Sequence, residues 1–312
     1  MPNVPLLTAP DIEAAVSPAE AVEAVRHAFV AFARGEWTMP PKVYVTNYPA
    51  GDFRAMPALG GGHALLKWVT SFPGNPARGL PTVTGLVLLS NADTGALEAV
   101  LDAGAVTALR TAAAGVLALD TLAGESASVA VVGCGVNGAE TARMLAARGV
   151  SPLLWDVDAI RRTTVAQELG ARVAGSLAEA LACDGVITVT PGSEVLYGAG
   201  SLRPGQHVSL MGADGPGKAE VAVEELARAR LFCDDWEQAS HGGELTPAVA
   251  AGRVTREDVT TIGAVLAGDA EGRRDEAETT LFDSTGLAIQ DLGIARLALL
   301  KSVEMDLPRL SL

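Results

Sequence analysis

The sequence predicts an α/β protein in which a doubly wound parallel sheet domain is combined with a second, α+β domain. From residue 128 onward, short apolar runs alternate with Ala- and Leu-rich stretches, which is typical of parallel strands connected by helices. Between residues 39 and 101, short extended segments are interrupted by Gly and Pro, which favours an antiparallel sheet. The domain boundary is therefore expected near residue 122.

The first domain is expected to begin with a helix and to continue as a sheet. Ser17 is a suitable N-cap, Pro18 suits the first helical position, and Glu20 completes a capping box. This helix should end before Gly35. The extended segments that follow are KVYVT, FRAMPA, HALLKWVTSF, TVTGLVLLS and LEAVL, and an Ala-rich helix from Asp102 to Gly124 leads into the second domain.

The second domain opens with a glycine motif of the kind that binds dinucleotides. A Val-rich run at 129–132 predicts a buried strand, and Gly133, Gly135 and Gly138 follow in GxGxxG spacing before a helix over 139–148. The first glycine permits a tight turn, the second lets the backbone approach a pyrophosphate, and the third lets helix and strand pack closely. The N–H groups at the helix start then face the phosphates. This order of elements predicts a Rossmann domain with a bound dinucleotide.

An acid at the end of the next apolar run indicates which dinucleotide is bound. Asp156 follows the run at 153–155, about 20 residues after the first glycine, as in dinucleotide-binding βαβ units. A carboxylate at this point hydrogen-bonds the ribose 2′-OH of NAD and repels the 2′-phosphate of NADP. Arg161 and Arg162 lie in the following helical turn and are expected to be solvated. NAD is therefore favoured over NADP.

The alternation of strands and helices continues towards the end of the chain. Helices are predicted at about 158–170 and 220–229, strands near 171–173, 185–190, 207–212, 231–235 and 279–283, and a long amphipathic helix at 286–304. The sequence alone does not say which domain the last helix packs on.

Several cations of the first domain stand among residues that should be apolar. Lys67, in LLKWV, either extends to the surface or points into a cleft. Arg110 lies among small and apolar residues of a predicted helix, and a half-buried arginine needs an anion, such as a substrate carboxylate held by two hydrogen bonds. Lys42 and Arg54 belong to the same domain. Together these residues suggest a pocket for a small anion.

Polar residues follow two predicted strands of the second domain. Asp214 comes after the HVSLMG strand, in GADGPGK, and is either part of an Asp-Gly turn or an acid at the strand edge where ligands bind. In the second case it would meet the nicotinamide and the substrate. Lys218 would then reach a phosphate or ribose of the cofactor, and Thr190 is similarly placed.

Composition narrows the classes of partner. The net charge of −14 argues against nucleic acid and anionic membranes, and no unbroken apolar span is long enough for a transmembrane helix. The N-terminus lacks the basic start and apolar core of a signal peptide. The three cysteines are scattered without CxxC spacing, and the four histidines have no metal-ligand spacing. We expect a cytoplasmic protein without a metal site, whose partner is a small molecule.

Longer blocks of sequence carry a family resemblance. The runs MPPKVYV, FRAMPA, LKWVTSFPGNPARGLPTV, TALRTAAAG, GADGPGK, DDWEQASHGGEL and LFDSTGLAIQD resemble the ornithine cyclodeaminase/μ-crystallin family, and are most like its archaeal-type alanine dehydrogenase branch. The resemblance covers essentially the whole chain. It implies a homodimer in which residues 1–122, with the C-terminal helix of about 286–312 folded back onto them, bind substrate and dimerise. Residues 123–285 would bind NAD(H).

The resemblance also implies roles for individual residues. Lys67 matches the active-site lysine, Arg110 the arginine near the substrate carboxylate and the nicotinamide, and Asp214 the acid that contacts the substrate amine in cyclodeaminases. Lys42 and Arg54 match basic residues of alanine dehydrogenases, whereas cyclodeaminases have an acid in place of Arg54, which suits a diamine substrate. The positions expected to contact the cofactor are Thr82, Val136, Asn137, Asp156, Thr190, Met211, Lys218 and Ser284.

The activity that the resemblance implies is reversible oxidative deamination of L-alanine to pyruvate and ammonia with NAD⁺. Arg110, with Lys42 or Arg54, would hold the carboxylate, while Lys67 and Asp214 would move protons. Two other reactions stay open: cyclisation of ornithine to proline, which Arg54 disfavours, and reduction of a cyclic imine such as pyrroline-2-carboxylate. A non-catalytic NAD(P)H-dependent ligand-binding protein is a further alternative, although such a protein need not retain Lys67 and Asp214.

Overall fold

The computed structural model describes residues 3–124, 128–192, 194–213, 215 and 217–311. The strands are β1 (Asn3–Leu7), β2 (Val43–Asn47), β3 (Gly51–Gly60), β4 (His63–Ser71), β5 (Val83–Asn91), β6 (Leu97–Asp102), β7 (Val129–Val132), β8 (Leu153–Trp155), β9 (Arg172–Val173), β10 (Gly185–Thr188), β11 (His207–Leu210), β12 (Arg230–Cys233), β13 (Val259–Thr261), β14 (Thr280–Asp283) and β15 (Arg309–Ser311). The α-helices are α1 (Ala9–Ala15), α2 (Pro18–Ala33), α3 (Ala103–Leu122), α4 (Val136–Ala147), α5 (Ala159–Leu169), α6 (Leu177–Leu181), α7 (Val223–Leu226), α8 (Trp236–Gly242), α9 (Thr246–Ala250), α10 (Ile262–Ala267) and α11 (Ala288–Lys301).

The chain divides into two compact units. Unit 1 consists of Met1–Arg110 and Leu287–Leu312, and unit 2 of Thr111–Gly286. The division falls inside helix α3, whereas the sequence analysis placed the boundary at the end of that helix. Each unit has its own sheet.

Unit 1 is built on a sheet whose strands follow the order β15-β1-β6-β5-β4-β3-β2 among the described residues. Strands β2 to β6 are antiparallel neighbours, as the segments between residues 39 and 101 predict. β1 joins β6 in parallel and pairs with β15 in the antiparallel sense. The register puts Met56 of β3 and Val87 of β5 on either side of Lys67, in the middle of the sheet.

The side chains of β4 alternate between a covered and an open face of this sheet. Leu65, Lys67 and Val69 are buried, whereas Leu66 and Trp68 are exposed. Helix α11 packs against β3, β4 and β5, and α2 packs on α11. Because successive residues of a strand point to opposite faces, Lys67 belongs to the face that α11 covers.

The two helices packed together in unit 1 differ in how well they were predicted. Helix α2 begins as expected: the Oγ of Ser17 accepts the N–H of Glu20 at 3.4 Å, and Glu20 accepts the N–H of Ser17 at 3.2 Å. Helix α11 is not the amphipathic helix that was expected, since residues 288–295 are all buried. The sheet covers one side of it and α2 another. Helix α11 belongs to unit 1.

Unit 2 contains a parallel sheet, with the order β13-β12-β14-β11-β10-β7-β8-β9 among the described residues. β7 comes first in the chain but lies inside the sheet, with β8 and β9 on one side and β10 and β11 on the other. The strand order therefore reverses between β7 and β10, and such a switch point leaves a crevice for ligands at the carboxyl ends of the strands. The predicted doubly wound sheet is confirmed.

One predicted helix of unit 2 is much shorter than expected. The segment 220–229 contains only α7, because the chain is extended at its beginning. The carbonyl oxygen of Glu220 accepts the N–H groups of Leu196 at 2.7 Å and of Tyr197 at 2.9 Å, and Val221 forms a parallel bridge with Tyr197. Helices α6, α8, α9 and α10 and strand β13 were not foreseen, because elements this short show little periodicity.

Helix α3 is long and apolar enough, by length and composition alone, to cross a membrane. However, 78% of its most apolar window is buried inside the protein. A helix that is apolar on most sides and buried in this way is typical of the core of a large domain.

Candidate active site and dinucleotide-binding loop

A buried ion pair joins β4 to α11 in unit 1. The Nζ of Lys67 donates a hydrogen bond to Oδ1 of Asp291 at 2.9 Å. Lys67 is 1% exposed, and Asp291 is fully buried. The sequence left open whether Lys67 extends to the surface, and the structure has it on the inner face of the sheet. Asp291 was not among the residues predicted for the site.

Arg110 approaches the same carboxylate oxygen. Its Nε lies 3.4 Å from Oδ1 of Asp291, and its Nη1 donates to Oε1 of Gln290 at 3.3 Å. Two neighbouring polar atoms, Oδ2 of Asp291 and Nε2 of Gln290, are buried and have no hydrogen-bond partner among the described residues. Buried polar atoms are rarely left in this state, and such exceptions call for an explanation.

Burial changes the proton affinity of Lys67. It lowers the pKa of the lysine from its ordinary value to about 8. Desolvation of the ammonium is the largest cause, and the charges of Arg110 and Arg54 act in the same direction, while Asp291 opposes them. A lysine with this pKa exchanges protons near neutral pH, which a general acid or base requires.

The cluster of Lys67, Arg110 and Asp291 carries an excess of positive charge. Two cations share a single carboxylate oxygen, and all three side chains are largely withdrawn from water. A buried positive charge is costly unless an anion accompanies it. The cluster is therefore suited to binding a small carboxylate.

Arg54, another predicted substrate residue, is held by a carboxylate on its own strand. Its Nε donates to Oδ1 of Asp52 at 2.6 Å and its Nη2 to Oδ2 at 3.2 Å. The guanidinium also lies over the ring of Tyr44, 5.4 Å from the centroid. Arg54 therefore influences Lys67 through its charge, from a position fixed by Asp52.

Lys42 and Thr82 lie just before strands of the unit 1 sheet. Lys42 is half-buried and precedes β2. Thr82 is half-buried and precedes β5, and its carbonyl oxygen accepts the N–H of Phe72 at 2.8 Å. Their contacts with substrate and cofactor stay predictions.

The glycine loop of unit 2 has the backbone that a dinucleotide needs. Gly133 has a φ of +102°, and a Cβ there would lie 2.5 Å from the carbonyl oxygen of Val189. A Cβ on Gly138 would collide with the carbonyl oxygen of Gly133, whereas a Cβ on Gly135 would meet open space. Helix α4 starts at Val136 without a side-chain cap from the described residues, which suits phosphate oxygens at its first N–H groups. These residues fit a bound dinucleotide.

Asp156 fixes this loop from the neighbouring strand. Its Oδ2 accepts the N–H of Cys134 at 2.7 Å, and its Oδ1 accepts the N–H of Asp158 at 2.7 Å. Each oxygen has a second lone pair that a ribose hydroxyl can use. The expectation that Arg162 is solvated was wrong, because its guanidinium is engaged by neighbouring residues. Its Nη1 donates to the carbonyl oxygen of Asp156 at 2.5 Å, and its guanidinium packs 4.4 Å from the ring centroid of Trp155, because a flat cation is attracted to an aromatic face.

Other predicted cofactor residues lie beside the loop or after β11. Val136 is 76% exposed at the start of α4, and Asn137 is half-buried next to it. Met211 and Lys218 follow β11 and are half-buried. Asp214, the predicted second proton carrier, lies outside the described residues.

Thr190 and Ser284 are engaged by buried acids that the sequence analysis did not single out. The hydroxyl of Thr190 donates to Glu220, which also accepts the hydroxyl of Thr188. Ser284 donates to Oδ2 of Asp234 at 3.2 Å. These acids orient hydroxyl groups after β10 and β14.

His207 is packed as a structural residue. Its two ring nitrogens lie 2.8 Å from Oγ1 of Thr280 and 2.9 Å from Oγ of Ser209, and burial lowers its pKa to about 3. Within the part of the chain that the structure describes, no group of three or more His, Cys, Asp or Glu side chains is arranged to hold a metal ion.

Comparison with known proteins gives matches over nearly the whole chain. Residues 4–303 match the model of the ornithine cyclodeaminase/mu-crystallin family. An alanine dehydrogenase of Archaeoglobus fulgidus is 42% identical over 305 residues, which cover 93% of this chain and 92% of the relative.

Solved structures agree with the sequence matches. An archaeal alanine dehydrogenase dimer with bound NAD has a TM-score of 0.93 at 40% identity and covers 99% of both chains. The Delta(1)-pyrroline-2-carboxylate reductase of Thermococcus litoralis, in complex with NADH and L-proline, has a TM-score of 0.92 at 26% identity and covers 99% of this chain and 100% of that one.

Proposed function

Because the chain belongs to the ornithine cyclodeaminase/mu-crystallin family, we propose that it is an NAD-dependent oxidoreductase that catalyses the reversible oxidative deamination of L-alanine to pyruvate and ammonia. The observation that carries this proposal is the buried cluster of Lys67, Arg110 and Asp291, which combines a proton carrier with an excess of positive charge. The substrate class is a small amino or keto acid. The alanine dehydrogenase relative favours alanine within that class.

NAD(H) is the cofactor that the residues of unit 2 would hold. The loop with Gly133, Gly135 and Gly138 would accept the pyrophosphate, and Asp156 the ribose hydroxyls. When bound, NAD⁺ supplies the acceptor for the hydride that leaves the substrate. The two solved relatives described above contain NAD or NADH, which supports this assignment.

Arg110 would bind and orient the substrate carboxylate. Its Nη1 donates to the neutral oxygen of Gln290, and its Nε faces Asp291 at a distance longer than a strong charge-assisted hydrogen bond. The guanidinium therefore has capacity for a carboxylate. Holding the substrate in one orientation lowers the entropic part of the barrier. Lys42 and Arg54 would support this anion site.

Lys67 would move protons at the substrate. In deamination, its neutral amine accepts a proton from the water that attacks the oxidised carbon. In the reverse direction, its ammonium returns a proton to the oxygen that leaves as water. A pKa of about 8 allows both forms to be populated near neutral pH. Asp214 remains the second proton carrier of the proposal.

The ion pair of Arg54 with Asp52 argues against one alternative activity of this fold, that of an ornithine cyclodeaminase. An ornithine cyclodeaminase needs an acid for the second ammonium of its substrate, and the carboxylate of Asp52 is already bound by Arg54 through two hydrogen bonds. Reduction of a cyclic imine such as pyrroline-2-carboxylate is the stronger alternative, since the Thermococcus litoralis reductase has nearly the same fold. A purely ligand-binding protein need not retain Lys67 and Asp214, and both are present in this chain.

A homodimer is part of the proposal. Val43, Trp68 and Leu86 lie in one cross-strand row on the open face of the unit 1 sheet, and all three are exposed. An apolar patch of this kind is typical of a protein interface. The archaeal alanine dehydrogenase was solved as a dimer, so we assign this face to a second copy of the chain.

The free, buried thiols of Cys134, Cys183 and Cys233 suit a cytoplasmic location.

The test is the absorbance of NADH with purified protein. We expect rapid NADH oxidation with pyruvate and ammonium, and little with pyruvate and methylamine or with pyrroline-2-carboxylate. L-Ornithine with NAD⁺ is assayed in parallel for proline. Activity on the cyclic imine or on ornithine, with none on pyruvate and ammonium, would keep the fold and cofactor and overturn the substrate.

A further inference from the structure

The cluster in unit 1 depends on one carboxylate oxygen. Oδ1 of Asp291 lies 2.9 Å from Nζ of Lys67 and 3.4 Å from Nε of Arg110. The three residues come from β4, α3 and α11, so this oxygen is the point at which three elements of unit 1 meet. Without its charge, two cations would face each other inside the protein, where repulsion is poorly screened.

Asp291 is placed to act on its two cationic neighbours. Its Oδ1 is occupied by Lys67, and its Oδ2 is buried from solvent. The carboxylate therefore holds the two cations that, in the proposed function, meet the substrate.

We propose that Asp291 is a positioning residue, whose Oδ1 fixes the ammonium of Lys67 and the guanidinium of Arg110 in one arrangement for substrate binding and proton transfer. The inference rests on the proposed function, in which those two groups handle the substrate. Among the residues that the structure describes, the charged groups that act on Lys67 are Arg110 of α3, Arg54 of β3 and Asp291 of α11. Of these three, Asp291 alone favours the protonated lysine, because its charge and hydrogen bond raise the pKa that burial and the arginines lower.

The proton affinity of Lys67 can be measured without any substrate. The chain has only four lysines, Lys42, Lys67, Lys218 and Lys301, so ¹³Cε-lysine labelling gives a simple NMR spectrum, and the Lys67→Arg variant identifies the signal of Lys67. In the wild type we expect this signal to titrate near pH 8. In Asp291→Asn, which keeps the shape and removes the charge, we expect the inflection at lower pH. In Asp291→Asn, kcat/KM should fall by at least about tenfold, and the inflection of its pH profile should also move to lower pH.

Two variants separate positioning from packing. Asp291→Glu restores the charge on a longer arm, so the inflection should return towards that of the wild type while kcat/KM stays reduced. Glu20→Gln removes a half-exposed carboxylate of α2 that pairs with Lys301 at the end of α11, and it should leave the Lys67 inflection and kcat/KM unchanged. An unchanged Lys67 inflection in folded Asp291→Asn would overturn the inference.

The inference stays testable if Asp291→Asn does not fold. The double variant Lys67→Met/Asp291→Asn lacks both charges, and it should then regain a thermal midpoint near that of Lys67→Met. A double variant as unstable as Asp291→Asn would mean that the aspartate serves packing alone, and would overturn the inference. If the inflection shifts as expected but the wild type does not use pyruvate and ammonium, the proposed substrate fails and the role of Asp291 in holding Lys67 stands.

Discussion

Arg54 and Asp52, two residues apart on β3, form a two-pronged ion pair with distances of 2.6 and 3.2 Å. The positive charge of Arg54 is therefore matched by a carboxylate of its own, whereas Arg110 shares the single carboxylate of Asp291 with Lys67. The two arginines look equivalent in the sequence, since both stand among apolar residues. The structure gives them different electrostatic surroundings.

Replacing the two arginines should separate their roles. We expect Arg110→Ala to lower kcat/KM by an amount that corresponds to about 3–5 kcal/mol of lost transition-state stabilisation. The variant lacks a largely desolvated partner of the substrate carboxylate. Arg54→Ala should reduce kcat/KM less than Arg110→Ala does. It should lower the free energy of unfolding by about 1–3 kcal/mol, because Asp52 is left buried without its ion pair. Arg148→Ala, which removes a partly exposed pair with Asp120, is the control for loss of an arginine. A loss below tenfold in Arg110→Ala would rule out the carboxylate role.

The two directions of the reaction should depend on pH in opposite ways. The pKa of Lys67 is lowered to about 8, so the neutral amine that accepts a proton in alanine oxidation becomes populated as the pH rises through 8. We expect kcat/KM for alanine to rise and level off above that pH. For pyruvate, with the concentration of free ammonia held constant, kcat/KM should fall above pH 8, because this direction needs the protonated side chain of Lys67. Lys67→Arg, which stays protonated, should lose at least about a hundredfold. The same pH dependence in both directions would contradict the assignment.

Two glycines of the dinucleotide loop offer a matched pair of substitutions. A methyl group on Gly135 meets open space, so Gly135→Ala should change the free energy of unfolding by less than about 0.5 kcal/mol. It should nevertheless weaken NADH binding by about 1–2 kcal/mol, because the backbone must approach the pyrophosphate there. A methyl group on Gly138 collides with the carbonyl of Gly133, so Gly138→Ala should destabilise the protein itself by about 1–3 kcal/mol. Thermal midpoints and NADH fluorescence titrations distinguish these outcomes, and equal affinity in Gly135→Ala and wild type would argue against the predicted site.

The oligomeric state tests the open face of the unit 1 sheet. Trp68 is 43% exposed in the middle of the row with Val43 and Leu86. A charge in the centre of an apolar interface is left without a partner, so Trp68→Glu should shift a dimer to a monomer in sedimentation velocity. Leu300→Glu, at an exposed position on α11, should leave the dimer intact. A wild-type protein that sediments as a monomer would remove the basis for this prediction.

The parts that could be predicted from the sequence are those encoded by neighbouring residues. The capping box of Ser17 and Glu20 fixed the start of α2, and the strand, glycines and helix around Gly133 predicted the parallel sheet of unit 2. Both patterns are local, because the groups that interact lie within a few residues of each other. Helix α7 was overestimated because its preceding residues pair with Leu196 and Tyr197, and this pairing leaves no trace in the local pattern.

The candidate site was predicted in part. Lys67 and Arg110 were noticed because charges stand out in apolar runs, and the structure brings both to one carboxylate. Asp291 stands in the equally apolar run AIQDLGIARLALL and carries the same signal. It was missed because α11 was expected to be amphipathic, and an amphipathic helix has one polar, solvated face. What could not be predicted is which of the buried charges meet, since such pairs join distant parts of the chain.

Residues 67 and 291 are 224 positions apart, and all of unit 2 lies between them in the chain. Ribosomes therefore deliver the whole dinucleotide-binding unit before α11 emerges. Until then, the nascent sheet of unit 1 contains its lysine but neither the covering helix nor the acid that accepts its hydrogen bond. The buried ion pair of Lys67 and Asp291 is thus completed in the last stage of translation, when α11 docks onto strands synthesised long before.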